Sequence, residues 1–361
     1  MAEIGGPFER ELSDLIASIR RPSDDAVVRA WARLDSLTKP PRSLGRLEEI
    51  AARIAQVQDT TRPVASPAAI VLLAGDHGVV AEGVTPYPSE VTVQMMANFA
   101  AGGAAICQIA RHVGARLVLV DIGVAGDTSA IDGVVQAKVR PGTANMAVEA
   151  AMTREEAAAA VLTGARIARE LAGEGVVVIG TGEMGIGNST AAAALTAAFT
   201  GAAPVTVVGR GTGLDDAGVA HKATVVARAL GLHAPHAEDP LGTLATLGGL
   251  EIAGMAGVLI GAAASGACAV SDGYISGSAA LAAVRMAPGV APYLFSGHRS
   301  AEPGHRIVLD ALGIEPVLDL DMRLGEGTGA ALAIGVMGAA CAVMSGMATF
   351  GEAGVSVRGG E

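Results

Sequence analysis

The chain has 361 residues, with 36 acidic side chains against 25 basic ones and a formal net charge of −11. That balance excludes a basic nucleic-acid-binding face. Hydrophobic residues at 51% and charged residues at 17% exclude a disordered chain.

The N-terminal stretch 1–20 carries Glu3, Glu9, Arg10, Glu11 and Asp14. It holds no apolar signal core, so a cytoplasmic protein is expected. The first 65 residues read as helical, with Leu44, Leu47, Ile50, Ala51, Ile54 and Val57 at helical spacing after the stiff segment 39–45. Residues 59–68, with Pro63 and Pro67, read as a linker.

From there, short aliphatic runs end in glycine-rich polar loops and are followed by alanine-rich helical stretches. The runs are 70–74, 117–121, 176–179, 205–208, 292–295 and 317–320, with 267–270 as a candidate seventh. Continuous apolar strands alternating with helices predict an α/β protein with a doubly wound, mostly parallel, Rossmann-like sheet of about six strands. Ligands of such folds bind outside the carboxyl ends of the strands. Gly75–Gly78, Asp121–Val124, Gly180–Asn188, Gly209–Asp216, Ser296–Arg299 and Asp321–Gly329 fall there, and Asp76-His77 at such an end reads as part of a site. Two uncharged runs, 252–271 and 327–350, are long enough to span a bilayer. They consist mostly of Ala, Gly, Ser and Met without an aromatic belt, so they read as buried helices. Three dispersed cysteines, Cys107, Cys268 and Cys341, form no zinc spacing and fit a reducing compartment.

Three loops carry chemistry. Gly180, Gly182 and Gly185 match G-x-G-x-x-G before an alanine-rich helix, a pattern that can cradle a phosphate. The next strand would end in Gly209-Arg210, which leaves an NADP-dependent oxidoreductase open, and a non-catalytic nucleotide-binding module is a second alternative. Glu183 inside that loop is an acid beside a phosphate cradle and needs a purpose. A second glycine loop, 209–213, is followed by Lys222. In the third, Glu326 lies between glycines just before an uncharged helix, where partial desolvation would raise its pKa and suit it to general-base work. His233, His236 and Glu238 have a loop-like, proline-interrupted setting and read as a solvated linker.

Taken together the loops resemble the nicotinate-nucleotide:dimethylbenzimidazole phosphoribosyltransferase family. The segments that carry the resemblance are LTKPPRSLGRLEEIA (37–51), GDHGVVAEGVTPYPSEVTVQMM (75–96), GEMGIGNST (182–190), GRGTGLDDAGVAHK (209–222), SDGYISGSAAL (271–281), GHRSAEPGH (297–305) and LDMRLGEGTGAALA (320–333). The resemblance implies a glycosyltransferase of cobamide lower-loop synthesis. Phosphoribosyl passes from nicotinate mononucleotide to 5,6-dimethylbenzimidazole, giving α-ribazole 5′-phosphate and nicotinate. It implies Glu326 as base, Glu183 as a second carboxylate, and Lys222 facing the phosphate or the nicotinate carboxylate. The backbone of Gly185 and Gly187 should approach the nucleotide, Ser300 should contact the donor, and Tyr87, Ser89 and Gln94 should line the acceptor pocket. No metal and no cofactor is expected, and neither a nucleic-acid nor a membrane partner. The family is homodimeric, with a small helical domain formed by 1–65 together with the C-terminal segment 329–361, and an α/β catalytic domain at 66–328.

Overall fold

The computed structural model describes residues 6–211 and 213–356; positions 1–5, 212 and 357–361, which belong to the expected helical domain and the second glycine loop, lie outside them. Helices α1 (Pro7–Ala17), α2 (Asp24–Asp35) and α3 (Arg46–Val57) precede the first strand. The sheet consists of β1 (Ala68–Gly75), β2 (Ala115–Gly123), β3 (Val134–Gln136), β4 (Val178–Met184), β5 (Cys268–Ser271), β6 (Leu294–His298) and β7 (Pro316–Leu318). Helices α4 (Glu90–Ala100) and α5 (Ala105–Val113) lie between β1 and β2, and α6 (Arg154–Gly173) between β3 and β4. Six helices separate β4, β5 and β6: α7 (Asn188–Thr200), α8 (Pro204–Val207), α9 (Asp216–His233), α10 (Pro240–Leu247), α11 (Leu250–Ala264) and α12 (Tyr274–Met286). Then come α13 (Pro303–Leu312), α14 (Thr328–Gly346) and α15 (Phe350–Ala353).

The strand order is β3-β2-β1-β4-β5-β6-β7, with every neighbouring pair parallel. The chain winds outward from β1 to β3, then returns to β4 and winds the other way. The topological switch point therefore lies between β1 and β4, where Leu73 is in register with Glu183. All eight residues of β1 are buried, as expected of a central strand covered on both faces. One face is covered by α6, α7, α11 and α12. The other is covered by α3, α5 and α14, whose core residues Ile54, Ile106 and Ile334 join Ile70, Leu72 and Phe295 of the sheet.

The glycine and alanine content has a packing purpose. α6 and α11 pack backbone to backbone: a Cβ on Gly257 would lie 1.8 Å from the Val161 carbonyl oxygen, and one on Gly164 would lie 1.9 Å from that of Gly254. Every residue from Leu250 to Ala263 is buried, so the first uncharged run is a core helix. α14, in the second, is apolar and long enough to cross a membrane, yet it packs against α3, α5, β4 and β6. α6 starts on a reciprocal cap between Thr153 and Glu156, the S/T-x-x-E signature.

Four expectations are corrected. Residues 205–208 do not form a strand; Pro204 presets the first turn of the short helix α8 and overrides the β-branched preference. β3 replaces it in the strand count, a three-residue edge strand after Gly133, too short to show a period. The predicted run at 292–295 starts in a helical turn, Pro288–Tyr293, and the strand is β6 beyond it. β4 extends through Met184, so Gly180 and Gly182 are strand residues rather than parts of a turn.

Candidate active site

Glu183 ends β4 at the switch point, and Glu326 is carried to it by the loop that opens α14. Three consecutive residues of that loop hold positive φ: Gly325 (+83°), Glu326 (+62°) and Gly327 (+88°). A non-glycine residue in this region is strained, and such strain is kept where the surroundings over-determine it. They do so here. The Asp272 carboxylate, just beyond β5, accepts the N–H groups of Gly327 (3.2 Å) and Ala330 (2.9 Å). The main chain of Glu326 presses against β4, where a Cβ on Gly182 would stand 2.5 Å from the Glu326 carbonyl oxygen. On the other side, a Cβ on Gly325 would stand 2.2 Å from Glu183 Oε1. Both glycines are required by contact with the two carboxylate residues.

The two acids have different environments. Glu183 is 6% exposed, and its pKa is pushed up to about 8 by burial and by the nearby charges of Glu251 and Asp272. Hydrogen bonds from the Asn188 side chain and from the Glu326 N–H oppose that rise. Glu326 is pushed up to about 7 by burial and by Asp272, against a hydrogen bond from the Ile106 N–H at the start of α5. Its Oε2 is buried without a partner among the described residues.

Lys222, on the second turn of α9, is 1% exposed and donates from Nζ to Ser189 Oγ at 2.8 Å. Burial lowers its pKa to about 8, although the Glu302 carboxylate pulls the other way. Glu302 accepts the Gly211 N–H at 3.0 Å, so the second glycine loop is tied to the start of α13. A cleft of about 630 Å³ opens between Gly209, Arg210, Ala220 and Pro303 and reaches Glu302 and Arg323. That is within the size range of small-molecule sites. Glu302 and Arg323 also line a narrower cavity with Glu183, Asp272, Ser300 and Gly325. The two cavities share Glu302 and Arg323, and the inner one reaches Glu183.

The remaining expected residues are placed as follows. Ser300 is buried on the inner cavity. Gly187 opens α7, and Gly185 lies against the backbone of Gly75. Ser89 precedes α4 and is half-buried, while Tyr87 and Gln94 are exposed nearby. α4 is joined to the switch point by Thr92, whose hydroxyl donates to Asp76 Oδ1 (2.6 Å) and accepts the Ile186 N–H (3.4 Å). His233 bonds the Met146 carbonyl oxygen from the end of α9, and no group of three potential metal ligands occurs among the described residues. With Gly180 and Gly182 in the sheet, the G-x-G-x-x-G match lacks the tight turn that a dinucleotide fingerprint needs.

Reading the residues alone placed Asp76 and His77 at a strand end with a site role, but did not single out Asp272, Asn188, Glu302, His305 or Glu251, whose Oε1 lies 2.7 Å from His77 Nε2. Burial works against the His77 imidazolium, but Glu251 outweighs it and the His77 pKa is raised. The sequence did hold one signal: Glu251 is a lone charge immediately before twenty uncharged positions.

A phosphoribosyltransferase family model matches residues 19–355. The chain belongs to this family. It is 51% identical over 347 residues to the nicotinate-nucleotide–dimethylbenzimidazole phosphoribosyltransferase of Chloroflexus aggregans, covering 96% of this chain and 98% of that one. The enzyme of the same name from Desulforamulus reducens is 49% identical, covering 96% and 99%. The crystal structure of the Thermus thermophilus enzyme superposes with a TM-score of 0.88 at 48% identity, over 93% of this chain and all of that one. The phosphoribosyltransferase family thus extends over the whole described α/β core, loops included.

Proposed function

We propose that the chain transfers the phosphoribosyl group of nicotinate mononucleotide to 5,6-dimethylbenzimidazole, giving α-ribazole 5′-phosphate and nicotinate in cobamide lower-loop synthesis. One observation carries the reading at the site: two buried carboxylates of raised pKa, Glu183 on the inner cavity and Glu326 at the start of α14, adjoin through the Glu326 main chain. Burial raises both from the usual carboxylate range, and a Glu326 pKa of about 7 leaves part of it ionised near neutral pH.

The donor's C1′–N bond breaks, and its electron pair returns to the pyridinium nitrogen, so nicotinate leaves without metal activation. A neutral imidazole nitrogen of the acceptor attacks C1′ from the opposite face, inverting the anomeric carbon. The other ring nitrogen then gives its proton to Glu326. Glu183 adjoins the Glu326 main chain, and its role in this reading is that of a second carboxylate beside the acceptor base. Lys222, charged and poorly solvated, gains an anionic partner when the donor's phosphate or carboxylate arrives. The α7 N-terminus behind Gly185 and Gly187 offers backbone N–H groups to the same anion. Ser300 contacts the donor from the inner cavity, and Tyr87, Ser89 and Gln94 line the acceptor side along α4.

The same reading makes this a cytoplasmic homodimer, with 1–65 and 329–361 as its small domain. Its support within one chain is the junction of the two segments: Leu37 bridges Thr349, and Arg33 donates to the Met347 carbonyl oxygen.

The experiment is a chromatographic assay of nicotinate release and riboside phosphate formation from the two substrates. Binding of nicotinate mononucleotide with no release on addition of the benzimidazole would reduce the protein to a nucleotide-binding module.

A further inference from the structure

His305 has no part in the chemistry above, yet it is fully buried beside the donor cavity. It occupies the third position of α13, and its ring reaches back past the helix start. There Nδ1 accepts the Ser300 N–H at 2.9 Å. A side chain at this position folding back onto the preceding chain resembles one arm of a capping box. Because Nδ1 accepts, the neutral ring carries its proton on Nε2. Gly277 supplies the space for the ring; a Cβ there would lie 3.1 Å from Nε2.

We propose that His305 is the positioning residue of the donor loop, holding Ser300 and Glu302 at the distance the phosphoribosyl group requires. The inference rests on the donor role of Ser300 proposed above. The loop is short and closed: the Glu302 N–H donates to Ser300 Oγ (3.3 Å), and the His305 N–H donates to the Glu302 carbonyl oxygen (3.0 Å). Glu302 in turn receives Gly211, next to Lys222. One imidazole thus sets the register between Ser300 and the Lys222 side of the cleft.

The ring must stay neutral, since an Nδ1–H would face the Ser300 N–H. Burial, with the neighbouring His298, lowers its pKa to about 3. The titratable groups facing it are His298 on β6 and Tyr274 on α12, and Glu302 stands just before its own helix.

The test compares His305→Leu, His305→Asn and Ser300→Ala by the Michaelis constant of each substrate, with thermal melting as a fold control. Misplacement of a positioning loop by about 1 Å costs up to about 100-fold. His305→Leu should therefore raise the donor constant by roughly 10- to 100-fold and leave the acceptor constant nearly unchanged. His305→Asn keeps an acceptor near the Ser300 N–H and should recover most of the loss. If Ser300→Ala leaves the donor constant unchanged, the donor role of Ser300 itself fails. If Ser300→Ala raises it while folded His305→Leu does not, the positioning role is overturned. Equal rises for both substrates with a lowered melting temperature, unrescued by Asn, would make His305 a core residue only.

Discussion

The side chain of Glu183 accepts a hydrogen bond from the main-chain N–H of Glu326. The end of a strand and the start of a helix, over 140 positions apart in the chain, are thereby joined where the Glu183 carboxylate meets the Glu326 main chain. That bond holds the Glu326 main chain, while its carboxylate is held from α5 by the Ile106 N–H.

Replacing Glu326 with Gln keeps size and hydrogen bonding but removes basicity. Turnover should fall by roughly 10²–10⁴, the usual worth of a general base. The donor Michaelis constant should hardly move. Near-full turnover in Glu326→Gln, with loss in Glu183→Gln, would transfer the base role to Glu183.

The pH dependence follows from two groups. Glu326 must be ionised to accept a proton, so kcat should rise with pH through about 7. Lys222 must be charged to attract the donor, so kcat/KM for the donor should fall above about 8. Stability moves the other way from the acid limb of activity. Both acids have folded-state pKa values above their unfolded ones, so the native state holds protons that the unfolded chain has lost. The substrate-free protein should lose stability between pH ~4.5 and ~8, and Glu183→Gln should flatten that slope in denaturant titrations at a series of pH values.

Lys222→Met removes a buried charge while filling similar space. The donor constant should rise by at least about 10-fold, since a charge-assisted contact is lost. The melting temperature of the free protein should hold or increase, because replacing a buried charge by an apolar side chain is often neutral or stabilising. Steady-state kinetics with each substrate varied in turn would detect an acceptor effect instead and contradict the assignment.

Gly325→Ala places a methyl group against Glu183 Oε1 and at a φ of +83°. Such a substitution in the left-handed region should destabilise by about 1–2 kcal/mol. Turnover should fall further than that cost implies, because the Glu183–Glu326 junction is pried apart. Gly45→Ala, at +54° with open space around it, is the control that shares the backbone strain only.

The sheet, its winding and the edge that bears the chemistry were legible because central strands are continuous apolar runs with glycine-rich ends. The β4 boundary was not: Gly180 and Gly182 read as a turn, yet they stay in the strand because Ala330 and the Glu326 backbone need the room. β3 and α8 were too short for periodicity to decide. Glu183, Glu326 and Lys222 were visible as charges set among glycines. Asp272 and His305 were not, since their importance lies in which backbone N–H groups they receive, and those partners lie on another element or loop. Tyr87, Ser89 and Gln94 lie around α4, on a different segment from Glu326 at the start of α14.

That separation has a consequence for how such a chain can diversify. In the proposed reading, the wall that meets the incoming heterocycle and the clamp that receives its proton belong to different segments, joined through Thr92. Substitutions along the wall can widen or narrow the range of tolerated rings while the proton acceptor keeps its place. A lineage can change the base it installs without rebuilding its catalytic centre.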